Sequence, residues 1–194
     1  MRARQILNGL GKYIIKALTE PFSKLTCTII AGIIGCGLGA HLQKESWKEQ
    51  NKLSMLESDR KQAECIFNEV SSIMDDRYYK TVRLLSAYKQ NDSVKIDKYK
   101  QSLVLQLEQW NANYNRTCAL VEGYFGPKHV HYFKHNIQHN FATVGNKIIY
   151  SGASTVQDQK YIDSQLDMLS NNIATLNRMM IGAIKENKVG RFSE

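Results

Sequence analysis

Residues 61–89 read KQAECIFNEVSSIMDDRYYKTVRLLSAYK. Within them Ala63, Phe67, Val70, Met74, Arg77, Thr81, Leu84 and Tyr88 recur at steps of three and four. Ile66, Ile73 and Leu85 flank that stripe. Such spacing turns one side of a helix toward a core. Neither Gly nor Pro occurs between Gly39 and Gly123, so the chain here is free to form very long helices. The polar run Gln90-Asn91-Asp92-Ser93 breaks the first one. A second stripe follows in Tyr99, Leu103, Leu107, Trp110, Tyr114, Cys118 and Val121. Gly126-Pro127 stops that helix and starts the next. Val130, Phe133, Ile137, Phe141, Val144 and Ile148 form a third stripe, which ends near Gly152. The fourth helix begins around Thr155, with Asp158 in capping-box position. Its stripe is Ile162, Leu166, Leu169, Ile173, Leu176, Met180 and Ile184. Four amphipathic helices with short connections predict an all-α, antiparallel four-helix bundle over residues 61–194, with a long first helix.

N-terminal to this bundle, residues 43–60 carry many charges and few core positions, which predicts a charged helical stalk. Ser54-Met55-Leu56-Glu57 also fits a capping box, so a hinge there and an unbroken helix are both open. Residues 25–42 read LTCTIIAGIIGCGLGAHL and contain no Asp, Glu, Lys or Arg. As a helix they extend ~27 Å, enough to cross a hydrocarbon core, with Lys24 and Lys44 bracketing them and Trp47 at headgroup level. Ala31, Gly35 and Gly39 repeat every fourth residue, as do Gly32, Cys36 and Ala40. Small residues at that interval let helix backbones approach closely in lipid, which predicts self-association through this transmembrane helix. The competing feature is Ile33-Ile34-Gly35-Cys36, which resembles a bacterial lipoprotein box in which Cys36 would be acylated; the long basic leader and the apolar run beyond Cys36 favour a span.

Residues 1–24 form a basic amphipathic leader. Ile6, Leu7, Leu10, Ile14, Ala17 and Leu18 share one side of a helix, and Lys12 and Lys16 lie opposite them. With Lys24, those lysines suit an anionic leaflet, and Pro21 is expected to end or kink the helix. The whole chain of 194 residues has 26 Lys+Arg against 18 Asp+Glu, a net charge of +8. Half of that excess lies in the leader, where five cations face one acid, Glu20. That concentration points to a membrane surface rather than to nucleic acid along the whole chain. The 43% hydrophobic content excludes a disordered chain, and four Cys do not make a disulfide scaffold.

Orientation in the membrane is not decided by flanking cations, because Lys12, Lys16 and Lys24 balance Lys44, Lys48 and Lys52. Cys118 falls on an apolar stripe and Cys65 opposite one, so the two thiols should stay unpaired, which fits a reducing compartment. The basic tail Lys185, Lys188, Arg191 would suit an anionic surface. The expectation is therefore a single-pass inner-membrane protein with a cytoplasmic bundle.

Two clusters are candidates for chemistry. His131, His135 and His139 repeat every fourth residue away from the apolar stripe of their helix. They form a solvated face, or when protonated an anion or partner contact together with Lys128 and Lys134, or a metal site completed by ligands from elsewhere. Arg77, Tyr79, Lys80, Arg83 and Lys98 should gather at one end of the first two helices, where interleaved tyrosines and cations suit phosphate and base contact. The bland alternative is a solvated helix end with pairs such as Asp76–Lys80. No nucleophile elbow, phosphate loop, zincin motif or CxxC occurs, so neither catalysis nor a cofactor is expected.

The layout of basic leader, one glycine-rich span and helical domain resembles the small membrane effectors of bacterial antiphage systems, the retron transmembrane effectors among them. That resemblance implies a toxin-like protein, restrained by a regulatory partner, that oligomerises on infection and permeabilises the inner membrane. Two other functions fit the same layout. One is a membrane-tethered scaffold or sensor that binds a protein partner. The other is a periplasm-facing phage lysis or exclusion factor.

Overall fold

Four helices and three short connections account for the chain in a computed structural model, which describes the backbone of residues 2–193 and the side chains of residues 35–191 and 193. Helix α1 is Arg2–Lys89 and α2 is Ser93–Phe125. Helix α3 covers 127–151, and α4 is Val156–Lys185. A single turn of 3-10 helix, Gly190–Phe192, follows. Among the described residues there is no strand.

The ends form where local chemistry supplies a cap. Asp92 accepts from the backbone N–H of Lys95 and starts α2. Gly126, at φ +84°, closes α2 in a conformation that side chains disfavour, and Pro127 opens α3. Thr155 accepts from the N–H of Asp158 at 3.0 Å and donates its hydroxyl to the Asp158 carboxylate at 2.7 Å. These are the boundaries expected from the stripes. Helix α1 runs on past Pro21 rather than ending there, and of the two alternatives at Ser54–Glu57 it takes the unbroken helix.

The chain divides into two units, Met1–Ser54 and Met55–Glu194. In the first, Leu38, Leu42, Trp47 and Leu53 are all exposed. Among the described residues no helix is long and apolar enough to cross a membrane; residues 25–34 of the expected span lie outside the described side chains. The leader cations Lys12, Lys16 and Lys24 lie outside them too, as do Ala31 and Gly32.

The second unit is the helical bundle. Its core takes Ile66, Val70, Met74 and Leu84 from α1, and Leu103, Trp110, Val121 and Phe125 from α2. Phe133, Ile137, Phe141 and Ile148 come from α3, and Ile162, Leu169, Leu176 and Met180 from α4. Each fully buried side chain of this size contributes ~1.5–3 kcal/mol. Helix α3 departs from regular geometry twice, in the π-helical stretches Phe133–Gln138 and Lys147–Ser151.

The bundle begins earlier than residue 61 because the C-terminal tail holds Asp59. Arg191 grips that carboxylate with Nε at 3.0 Å, Nη2 at 2.9 Å and its backbone N–H at 3.0 Å. Arg191 is therefore occupied, not free for an anionic surface as expected, and Lys188 pairs with Glu186. Gly190 makes the grip possible. Its φ is +57°, and a Cβ there would sit 2.6 Å from Asp59 Oδ2. Gly190→Ala should cost roughly 1–3 kcal/mol in a urea melt. Hydrogen bonds from the Arg191 side chain and backbone hold the Asp59 carboxyl below the usual carboxylate range. The stability it lends is complete above that range and is lost as pH falls through the lowered value. An acid titration of Asp59→Asn should accordingly show a shallower loss of stability than the parent protein.

Candidate functional site

Helices α1, α2 and α3 enclose a cleft of about 490 Å³. Ser72, Ile73 and Asp76 face it from α1. Helix α2 supplies most of the polar lining, with Gln106, Gln109 and Asn113 one turn apart. Trp110 and Tyr114 from α2 and Phe133 from α3 make its aromatic wall. Trp110 stacks on Phe133 at 5.8 Å between centroids and 27° between planes, and Tyr114 on Phe133 at 6.2 Å and 22°. Burial, with a hydrogen bond to Cys118, raises the Tyr114 phenol to about 12, so its hydroxyl is neutral at physiological pH. The apolar stripes point these aromatic residues to the core. They serve both core and cleft.

Arg77 lies behind this wall, which overturns its expected place among surface cations. It is 3% exposed. Its guanidinium is 4.6 Å from the Trp110 ring centroid and 4.5 Å from that of Phe141. Nη1 donates to Gln138 Oε1 at 3.4 Å, and Trp110 Nε1 donates to the same oxygen at 2.6 Å. Among the described residues no carboxylate lies within ion-pair distance of Arg77. Burial alone lowers its pKa from the ordinary arginine value to about 10, so the group stays charged at neutral pH. The reason for the misplacement is positional: Arg77 stands on the apolar stripe between Met74 and Thr81, and the stripe decides its orientation.

The rest of the expected cationic cluster is partly assembled. Arg83 Nη2 donates to the Tyr99 hydroxyl at 2.5 Å and lies over the rings of Tyr99 and Tyr79 at 4.3 and 5.5 Å. Lys80 joins them but binds Asp76 at 2.8 Å, and Lys89 binds Asp163 of α4 at 2.6 Å. Lys98 lines a different depression with Asp97 and Lys100. Lys80 is thus paired with a carboxylate and Arg83 with a tyrosine, while Lys98 lies apart from both.

His131, His135 and His139 are exposed, as the wheel requires. The first two rings come within 4.2 Å of each other. Among the described residues no three His, Cys, Asp or Glu side chains converge as a metal site would need. Cys65 is exposed, Cys118 is buried, and both are free thiols. In the first unit, a Cβ added at Gly35, Gly37 or Gly39 would meet nothing within 4 Å, and Cys36 and Ala40 are exposed.

Two buried glutamines were missed. Gln106 is 3% exposed and Gln138 half-buried. Gln106 was findable, because it sits on the α2 stripe three residues from Leu103 and four from Trp110. Gln138 was not, because a regular wheel turns it away from Ile137, whereas it closes a π-helical stretch.

Replacing Arg77 separates its charge from its volume. Arg77→Met should leave the thermal midpoint unchanged or raise it, since an apolar chain of similar size removes a buried charge. Arg77→Ala should cost about 2–4 kcal/mol through the cavity it opens. Chemical denaturation of both variants checks this; a large loss in the Met variant would mean that the ring contacts outweigh desolvation.

No protein-family model, curated protein or solved structure significantly matches this chain.

Proposed function

We propose that the protein is a non-enzymatic inner-membrane effector of the antiphage type, whose N-terminal unit perturbs the bilayer when a partner or trigger releases it. The observation that carries this reading is the uncovered surface of residues 35–54. Leu38, Leu42, Trp47 and Leu53 are between 61 and 67% exposed. The glycines at 35, 37 and 39 have open space beside them. Apolar side chains left in water favour transfer to lipid or to another chain, and small residues allow close helix contact once there. The adjoining charge-free stretch and the leader lysines are what a bilayer with anionic headgroups would receive. Self-association through this helix supplies the oligomer, and the lipid bilayer is the first partner.

A membrane-tethered sensor is the second reading, and the polar, aromatic-walled cleft of the bundle favours it. Exchange of residues 1–42 for an unrelated membrane anchor separates the two, since only a sensor keeps its activity. For the effector, induced expression under a membrane-potential dye should show depolarisation. Gly35→Leu with Gly39→Leu should abolish it while the protein still reaches the membrane. Harmlessness of the intact protein under every trigger tried would sink the idea.

The bundle is placed on the cytoplasmic side of a single-pass protein. With Cys27 and Cys36 replaced by Ser, exposed Cys65 reports this side, because buried Cys118 stays silent in the native fold. A membrane-impermeant maleimide should label Cys65 in permeabilised but not in intact cells. Labelling in intact cells would instead support a periplasm-facing lysis or exclusion factor.

A further inference from the structure

Three imidazoles stand at four-residue intervals on α3, and the fold pairs two of them. His131 and His135 are both exposed, and their ring centroids lie 4.2 Å apart with 41° between the planes. Among the described residues no such contact joins His139 to either ring. The backbone changes between them. The N–H of His139 bonds to the carbonyl of Lys134, five residues back, so the turn that carries His139 is wider than an α turn. The pair itself straddles the start of this π-helical stretch, Phe133–Gln138. Single π-helical turns inside α-helices are frequent at functional sites.

Two imidazoles one turn apart on a helix can chelate a metal ion. Imidazole nitrogens bind Zn2+ at ~2.0–2.1 Å, and two rings on one such ion have centroids about 4.5–5 Å apart. The observed separation falls within a fraction of an ångström of that. Rotation about the side-chain bonds is therefore enough to bring one nitrogen of each ring onto a common ion, with the backbone left in place. The surroundings select the ion. Helix α3, residues 127–151, contains no Asp or Glu, so Mg2+ and Ca2+, which take oxygen ligands, find no carboxylate on it. Nitrogen donors bind Cu2+ more tightly than Ni2+ or Zn2+. Lys128 and Lys134 on the same helix repel a divalent cation and limit the affinity. A closed site would need a third and a fourth protein ligand, and among the described residues none converges here.

We propose that His131 and His135 together bind one late first-row divalent metal ion, Cu2+ most tightly, with water in its remaining positions. The ion exchanges with solvent and ties two successive turns of α3 across the start of the π-helical stretch. His139 takes no part. The binding does not rest on the membrane reading and can be measured without it.

Thiols compete for these ions, so the test uses untagged full-length protein carrying Cys27→Ser, Cys36→Ser and Cys65→Ser, which leaves buried Cys118 as its one cysteine. In detergent micelles it is titrated with Cu2+, Ni2+, Zn2+ and Mg2+ by calorimetry. One equivalent of Cu2+ should bind with a Kd at or below roughly 100 µM, Ni2+ and Zn2+ more weakly, and Mg2+ not measurably. The electron paramagnetic resonance spectrum of the Cu2+ form should show nitrogen couplings from two imidazoles. His131→Gln and His135→Gln should each weaken Cu2+ about tenfold or more, and the thermal midpoint of the metal-free protein should stay unchanged because both positions are exposed. His139→Gln should change the affinity less than about twofold. The proposal is overturned by absence of saturable Cu2+ binding, by undiminished binding in both single variants, by His139→Gln weakening Cu2+ as much as His131→Gln does, or by nitrogen couplings from fewer than two imidazoles.

Discussion

The guanidinium of Arg77 is the contact on which the bundle's arrangement turns. It belongs to α1, yet it is held between Trp110 of α2 and Phe141 of α3. Taking a cation out of water without a carboxylate is expensive, and here two ring faces and one shared amide oxygen offset that cost. Of the two basic side chains arginine suits the slot, because its flat group can stack on both rings while donating in its plane; a lysine ammonium would remain a point charge with no plane to match. The contact also sets register. Moving α1 by one turn would put Met74 or Thr81 between the rings and leave the Gln138 oxygen with one donor fewer.

Other polar ties from α1 follow the same register. Glu69 meets Arg116 of α2 at 2.7 Å, Ser71 Oγ accepts from Asn177 of α4 at 3.1 Å, and Lys89 meets Asp163 of α4. Asp59 is gripped by the tail. The exposed pairs among them are worth only ~0–1 kcal/mol each. The apolar stripes supply the energy of the bundle, while these ties discriminate one alignment of α1 from its neighbours a turn away.

The stripes made the helices legible. The boundaries were legible too wherever a capping side chain, a glycine or a proline marked them, as at Asp92, Gly126-Pro127 and Thr155. Arg77 was legible by position and was misread by charge: it stood in the stripe, and its cationic character drew it into a surface cluster with Arg83 and Lys80. The grip of Arg191 on Asp59 joins residues far apart in sequence, and no local pattern announces such a pair. The Ser54–Glu57 box left a hinge and an unbroken helix both open, because a capping-box pattern is a weak preference that a long helix overrides. The cleft could not be found from any one helix, because its lining comes from three.

The two glutamines of this layer make opposite cases. Gln138 is explained by folding: its oxygen accepts from both Arg77 and Trp110, and without it a buried cation and an indole N–H would lose their partner. Gln106 is not. It occupies a stripe position between Leu103 and Trp110, where leucine would bury more apolar surface and strand no oxygen. An amide there weakens the free bundle. Packing therefore accounts for Gln138 and not for Gln106, although both lie on the layer where α1, α2 and α3 meet.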